Sequence, residues 1–71
     1  MNITPEQAKK VLTGSYSFSM LGFSMLITRL KSTYSRNPTP DTLNKCASEL
    51  STFINKYSSV MASDVAVIAK V

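Results

Sequence analysis

The chain has 71 residues, a single cysteine, no histidine and a formal net charge of +4. That length accommodates one domain, and a domain this small buries only ~60% of the surface its unfolded chain exposes. One cysteine excludes an intrachain disulfide framework, and without histidine neither a Cys/His zinc centre nor nucleophile–histidine catalysis can be assembled. Charged residues are 17% of the chain, against ~25% in ordinary globular proteins. Serine fills the gap, at eleven positions. Such a weakly charged, hydroxyl-rich surface suits close helix–helix contact, and association is the remaining route to stability.

The first predicted element begins at Thr4-Pro5-Glu6-Gln7. Thr4 is an N-cap, Pro5 occupies the first helical position and Gln7 closes a capping box. Glu6 then sits where the helix dipole favours an acid. The helix is expected to run over about 5–35. Ala8, Leu12, Tyr16, Met20, Phe23, Ile27, Leu30 and Tyr34 form one apolar stripe, and Val11, Phe18, Leu21 and Met25 form a second on another face. A helix apolar on two faces is buried on two faces, and one helical partner cannot cover both. Phe18, Leu21 and Met25 are therefore candidate subunit-interface residues. Two features run against a continuous helix. Ser15–Met20 alternates polar and apolar as a strand does, and Gly14 and Gly22 each cost ~1 kcal/mol against alanine.

Asn37-Pro38-Thr39-Pro40 is the strongest breaker, because the residue before each proline avoids the α region. A turn is expected at 36–39, and a connection this short makes its two helices antiparallel neighbours. Thr39-Pro40-Asp41 repeats the first half of the opening signal. The second helix is expected over about 40–69, with Leu43, Ala47, Leu50, Ile54, Tyr57, Met61, Val65 and Ile68 as a coiled-coil-type seam. Lys45, Glu49 and Lys56 lie off it. The expected fold is all-α: an antiparallel two-helix hairpin, one domain over 1–71, that assembles into a larger bundle or filament.

No catalytic constellation is present. The acids Glu6, Asp41, Glu49 and Asp64 are isolated along the chain, and no glycine-rich phosphate loop occurs. The chain is read as a non-enzyme without cofactor or metal. Of its eight basic residues, Arg29, Lys31 and Arg36 gather near the turn and Lys9, Lys10 and Lys70 sit at the other end. No nucleic-acid motif accompanies them, so no specific nucleic-acid partner is expected. Cys46 reads as a small packing residue beside Ala47. The uncharged run Val11–Thr28 is rich in Ser, Thr and Gly, shorter than a usual span, and is not expected to cross a membrane. The N-terminus shows no basic residue leading into an apolar run, so no signal peptide is expected.

Pro38-Thr39-Pro40, then Leu43, then Ser48-Glu49-Leu50-Ser51-Thr52-Phe53, together with Ser63-Asp64-Val65 ahead of an apolar tail, resembles the type III secretion needle-protein family. The resemblance covers residues 38–65. The family has a proline-rich turn between two helices, an S-K-L-S-E-Y-like run, and K-D-[IV]-D before an apolar end. The resemblance implies a helical hairpin that polymerises into a hollow export tube. It implies a secreted or cell-surface location reached without a cleaved signal, and as partners further copies, a dedicated chaperone or export-apparatus proteins. On the same basis Pro38 and Pro40 would shape the turn. Leu43, Leu50 and Phe53, with Ile54 and Tyr57 on the seam, would pack within the chain. Asp64, Val65, Val67, Ile68 and Val71 would contact neighbouring subunits. The expected function is that of a self-assembling needle or rod subunit. The rival reading is a small cytoplasmic binding module, such as a secretion chaperone, inhibitor or immunity-type protein, that covers a partner's amphipathic helix.

Overall fold

A computed structural model describes residues 1–71. The chain is all-helical: α1 (Pro5–Thr13), α2 (Leu21–Arg36), α3 (Pro40–Tyr57), a single 3-10 turn (Ser58–Val60) and α4 (Ala62–Ile68).

Both expected helix starts are built as their residues dictate. At α1 the Gln7 amide donates to Thr4 Oγ1 at 3.1 Å, and the Thr4 amide donates to Gln7 Oε1 at 3.0 Å. At α3 the Thr42 amide donates to Thr39 Oγ1 at 3.2 Å. Each threonine satisfies one of the orphan amides that every helix start leaves. Pro5 and Pro40 occupy first-turn positions where no amide is needed.

The two long helices expected over 5–35 and 40–69 are each broken. A 31-residue helix would be ~46 Å long, whereas the whole molecule measures 31 × 20 × 19 Å. Its radius of gyration, 11.0 Å, is the ~11 Å of a compact domain of this length. The first break runs from Gly14 to Met20, and the alternating Ser15–Met20 segment lies there without pairing as a strand. Gly14 takes an extended conformation while its amide still donates to the Lys10 carbonyl at 2.8 Å. A Cβ at this position would lie 2.7 Å from that carbonyl oxygen and from the Tyr16 ring. The second break, at Ser58–Met61, has no proline or glycine.

The breaks let three helices and a short fourth close on one core. Ala8, Val11 and Leu12 of α1 meet Phe23, Ile27 and Leu30 of α2 and Cys46, Ala47, Leu50 and Ile54 of α3. Ile3, Met61 and Ile68 complete it. The segment before α1 is tied down, since the Ile3 amide donates to Ser51 Oγ at 2.8 Å and the terminal ammonium to Asn55 Oδ1 at 2.7 Å. Helix α3 returns along α2 after the Asn37–Thr39 turn, pairing Arg29 with Glu49 and, farther from the turn, Phe23 with Phe53. No helix is long and apolar enough to cross a membrane.

The two glycines make opposite predictions. Gly14→Ala must displace backbone, at an expected cost of ~1–3 kcal/mol. A Cβ on Gly22 would meet only Phe53 Cζ at 3.4 Å and Met20 Cε at 3.9 Å. Gly22→Ala therefore fits and is expected to be neutral or to stabilise by up to ~1 kcal/mol through the unfolded chain's lost freedom. Urea denaturation of the two variants against the parent checks both signs.

Candidate interaction groove

The functional candidate is an open groove between α2 and α3 that encloses about 620 Å3. The half-buried Leu26, Phe53 and Tyr57 form its apolar floor, and the exposed Arg29, Lys45, Glu49 and Lys56, with Ser48 and Thr52, its polar walls. Helix geometry places these groups. Lys45, Glu49, Thr52 and Lys56 recur at four-, three- and four-residue intervals, which sets them on one face of α3. Phe53 and Tyr57 follow one residue behind Thr52 and Lys56 and turn toward α2.

The floor is a chain of aromatic rings anchored in the core. Phe53 lies 4.6 Å from Tyr57 and 5.7 Å from Phe23 between ring centroids, and Phe23 meets Phe18 edge to face at 4.8 Å. Phe23 is fully buried while Phe53 and Tyr57 are half-buried, so the rings carry the core outward to the surface. On the walls, Arg29 Nη2 meets Glu49 Oε1 at 2.9 Å. This is the one ion pair in the molecule, and both partners are about half exposed, a setting in which such pairs contribute ~0–1 kcal/mol. Lys56 Nζ stands 5.4 Å from the Tyr57 centroid, within cation–π range. Lys45 and Lys56 have no carboxylate partner.

The residues singled out from sequence fall into three places. Pro38 and Pro40 bound the exposed turn. Leu50 and Ile54 are core residues, Leu43 packs half-buried against the core, and Phe53 and Tyr57 do the same while also flooring the groove. The expected interface set divides. Leu21 and Met25 are 73% and 63% exposed and, with Ser24, Thr28 and Arg29, line a shallow hollow beside the groove. Asp64 and Ile68 are instead buried within their own chain. Phe18, Val65 and Val71 pack half-buried on the core, and Val67 is half-buried. The tail is thus largely spent in closing the fold. Its apolar periodicity does not distinguish burial against the chain's own core from burial against a neighbour.

Asp64 has a specific internal task. Its Oδ1 accepts from the Ser19 amide at 2.7 Å and the Ser19 hydroxyl at 3.0 Å, and its Oδ2 accepts from the Met20 amide at 2.9 Å. Burial pushes its pKa up, but these three bonds outweigh burial and hold the carboxyl below its ordinary value. Cys46 is buried and unpaired. Burial foremost, aided by the charge on Glu49 and opposed by Arg29, raises its thiol pKa, which keeps it in the poorly nucleophilic protonated form. No three His, Cys, Asp or Glu side chains gather to hold a metal ion.

Sequence spacing places Lys45, Glu49 and Lys56 off the seam and does not disclose the groove. The signal available was their spacing together with Thr52. What it lacked was Leu26 and Arg29, which reach the same surface from another helix. No protein-family model matches the chain, and neither a curated protein nor a solved structure matches it significantly.

Proposed function

We propose that this chain is a small helical binding module that receives an amphipathic helix of a partner protein in the α2–α3 groove. The observation that carries this reading is the apolar floor of Phe53, Tyr57 and Leu26, half exposed between polar walls on a folded domain. Helix-in-groove recognition uses such a site: apolar side chains one or two turns apart enter the floor while polar residues meet the walls. Residues that bind are here held on two helices braced by the core, so little ordering has to be purchased on association.

Titration of the labelled protein with a synthetic amphipathic helical peptide, followed by amide NMR shifts, tests it. Shifts confined to the segments around 26–29 and 45–57 are expected. Thr52→Trp fills the groove from an exposed position without adding charge and is expected to weaken binding by about tenfold, a change of ~1.4 kcal/mol, without lowering the melting temperature. Shifts elsewhere, or none, would sink the reading.

A second reading, self-assembly as a needle- or rod-type subunit in an export apparatus, draws on the exposed Leu21 and Met25. It requires a polymer from this compact domain or from a rearranged hairpin, and the same sample decides. Light scattering and negative-stain microscopy at high concentration would return fibres under the second reading and a monomer under the first.

A further inference from the structure

The walls of the groove define its occupant more narrowly, on the premise that it binds a helix. Lys45 and Lys56 are eleven residues apart on α3, three turns of helix, so they lie on one side of α3 about 16 Å from each other. They stand at the two ends of the groove, and neither has a carboxylate partner. The chain's acids are committed elsewhere: Glu6 and Asp41 sit in the first turns of α1 and α3, Asp64 is buried, and Glu49 is paired with Arg29 at the centre of the wall. The groove thus presents a positive charge at each end, a neutralised pair between them and an apolar floor beneath.

We infer that the occupant is an acidic amphipathic helix of about three turns, with a carboxylate near each end to meet Lys45 and Lys56 and an apolar ridge between them to lie on Leu26, Phe53 and Tyr57. A helix running along α3 repeats the same rise, so carboxylates eleven residues apart on it fall opposite the two lysines. A second copy of this chain is a poorer occupant, because each copy carries +4 and like charges oppose the encounter. A single-stranded nucleic acid is poorer too. Its phosphates recur along the whole strand and would pass Glu49, and the Phe53 and Tyr57 rings already pack against each other at 4.6 Å, so they do not stand apart as separate platforms for successive bases.

The test uses two fluorescent helical peptides with one shared apolar ridge. One carries Glu at two flanking positions eleven residues apart; the other carries Lys there. Fluorescence anisotropy at about 0.05 M and 0.5 M salt is expected to show the Glu peptide binding the full-length protein roughly tenfold more tightly at low salt, with the gap narrowing at high salt as charges are screened. Lys45→Glu/Lys56→Glu is expected to reverse the preference. Lys45→Gln/Lys56→Gln, which adds no new charge, is expected to abolish it should the reversed variant misfold by circular dichroism. Equal binding of both peptides at the groove would overturn the acidic partner while leaving the binding-module reading intact. Binding of neither peptide would overturn both. Displacement of the Glu peptide by a dT oligonucleotide that loses affinity in the same variants would replace the partner class with nucleic acid, and self-association that blocks the groove would replace it with a second copy.

Discussion

Asp64→Ala is expected to destabilise the fold by ~3–4 kcal/mol, because it strips the acceptor from two amides and a hydroxyl at once. A domain of this length has only about 4–11 kcal/mol to lose, so the melting temperature should fall by roughly 15 °C or more. The local reason is that α2 has no side-chain cap of its own. Met20 stands at its N-cap position, and no side chain there accepts a hydrogen bond. The carboxylate from α4 stands in for a local cap, and its negative charge lies beside the positive end of the α2 dipole. Asp64→Asn keeps one acceptor oxygen but turns an NH2 group toward an amide donor, so it should recover less than half of the loss.

The pH dependence has a definite sign. The folded-state pKa of Asp64 is depressed below its unfolded value. Its contribution is therefore complete above the unfolded value of about 3.9 and is lost as pH falls through the folded pKa. Thermal melts of the parent should change little through Asp64 between pH 7 and 5 and drop below about pH 4. In Asp64→Asn the part of that acid drop due to this carboxyl should disappear. A parent and variant that lose stability in parallel below pH 4 would show that Asp64 is not the group responsible.

The same carboxylate marks the limit of what the residues disclose locally. The starts of α1 and α3 were legible because their causes are local: Thr4, Pro5 and Gln7 fix one within four residues, and Thr39 and Pro40 fix the other, whereas α2 and α4 start without a side-chain cap and gave no such signal. The core was legible where a helix runs straight, so Ala47, Leu50 and Ile54 fall as their spacing places them. The break at Gly14 was signalled by the glycine and by the serine alternation after it, yet the apolar stripe through Tyr16 and Met20 argued the other way. Tyr16 is exposed and Met20 half-buried, since leaving the helix released them from that stripe. The break at Ser58–Met61 had no local signal at all. The chain bends there to bring Met61, Asp64 and Ile68 inward, and Asp64 meets partners at Ser19 and Met20, some 45 residues away. A contact at that separation leaves no periodicity to read. The groove was hidden for the same reason: its α3 wall follows from spacing, but its floor exists only once Leu26 of α2 is set against Phe53.

Phe23 joins that floor to the core, and its truncation is the second large effect expected. Phe23→Ala should cost ~3–5 kcal/mol, the transfer term of a fully buried ring plus the cavity it leaves. Two further contacts go with it, the edge-to-face partner Phe18 at 4.8 Å and the tilted partner Phe53 at 5.7 Å. Aromatic pairs of this geometry contribute ~0.5–1.5 kcal/mol beyond area burial. Phe18 belongs to the irregular segment after α1, so losing Phe23 should loosen that segment as well as the groove. Phe23→Leu keeps most of the apolar volume and should cost only ~1–2 kcal/mol, leaving a folded protein in which the aromatic chain is cut. Urea denaturation gives the two costs. Amide hydrogen exchange in Phe23→Leu then locates the damage: faster exchange at residues 16–20 and 50–57, with α1 unchanged, is the pattern expected if Phe23 couples the groove floor to the segment that Asp64 holds. Uniform acceleration across all helices would mean that Phe23 supports the core generally and has no special connection to the groove.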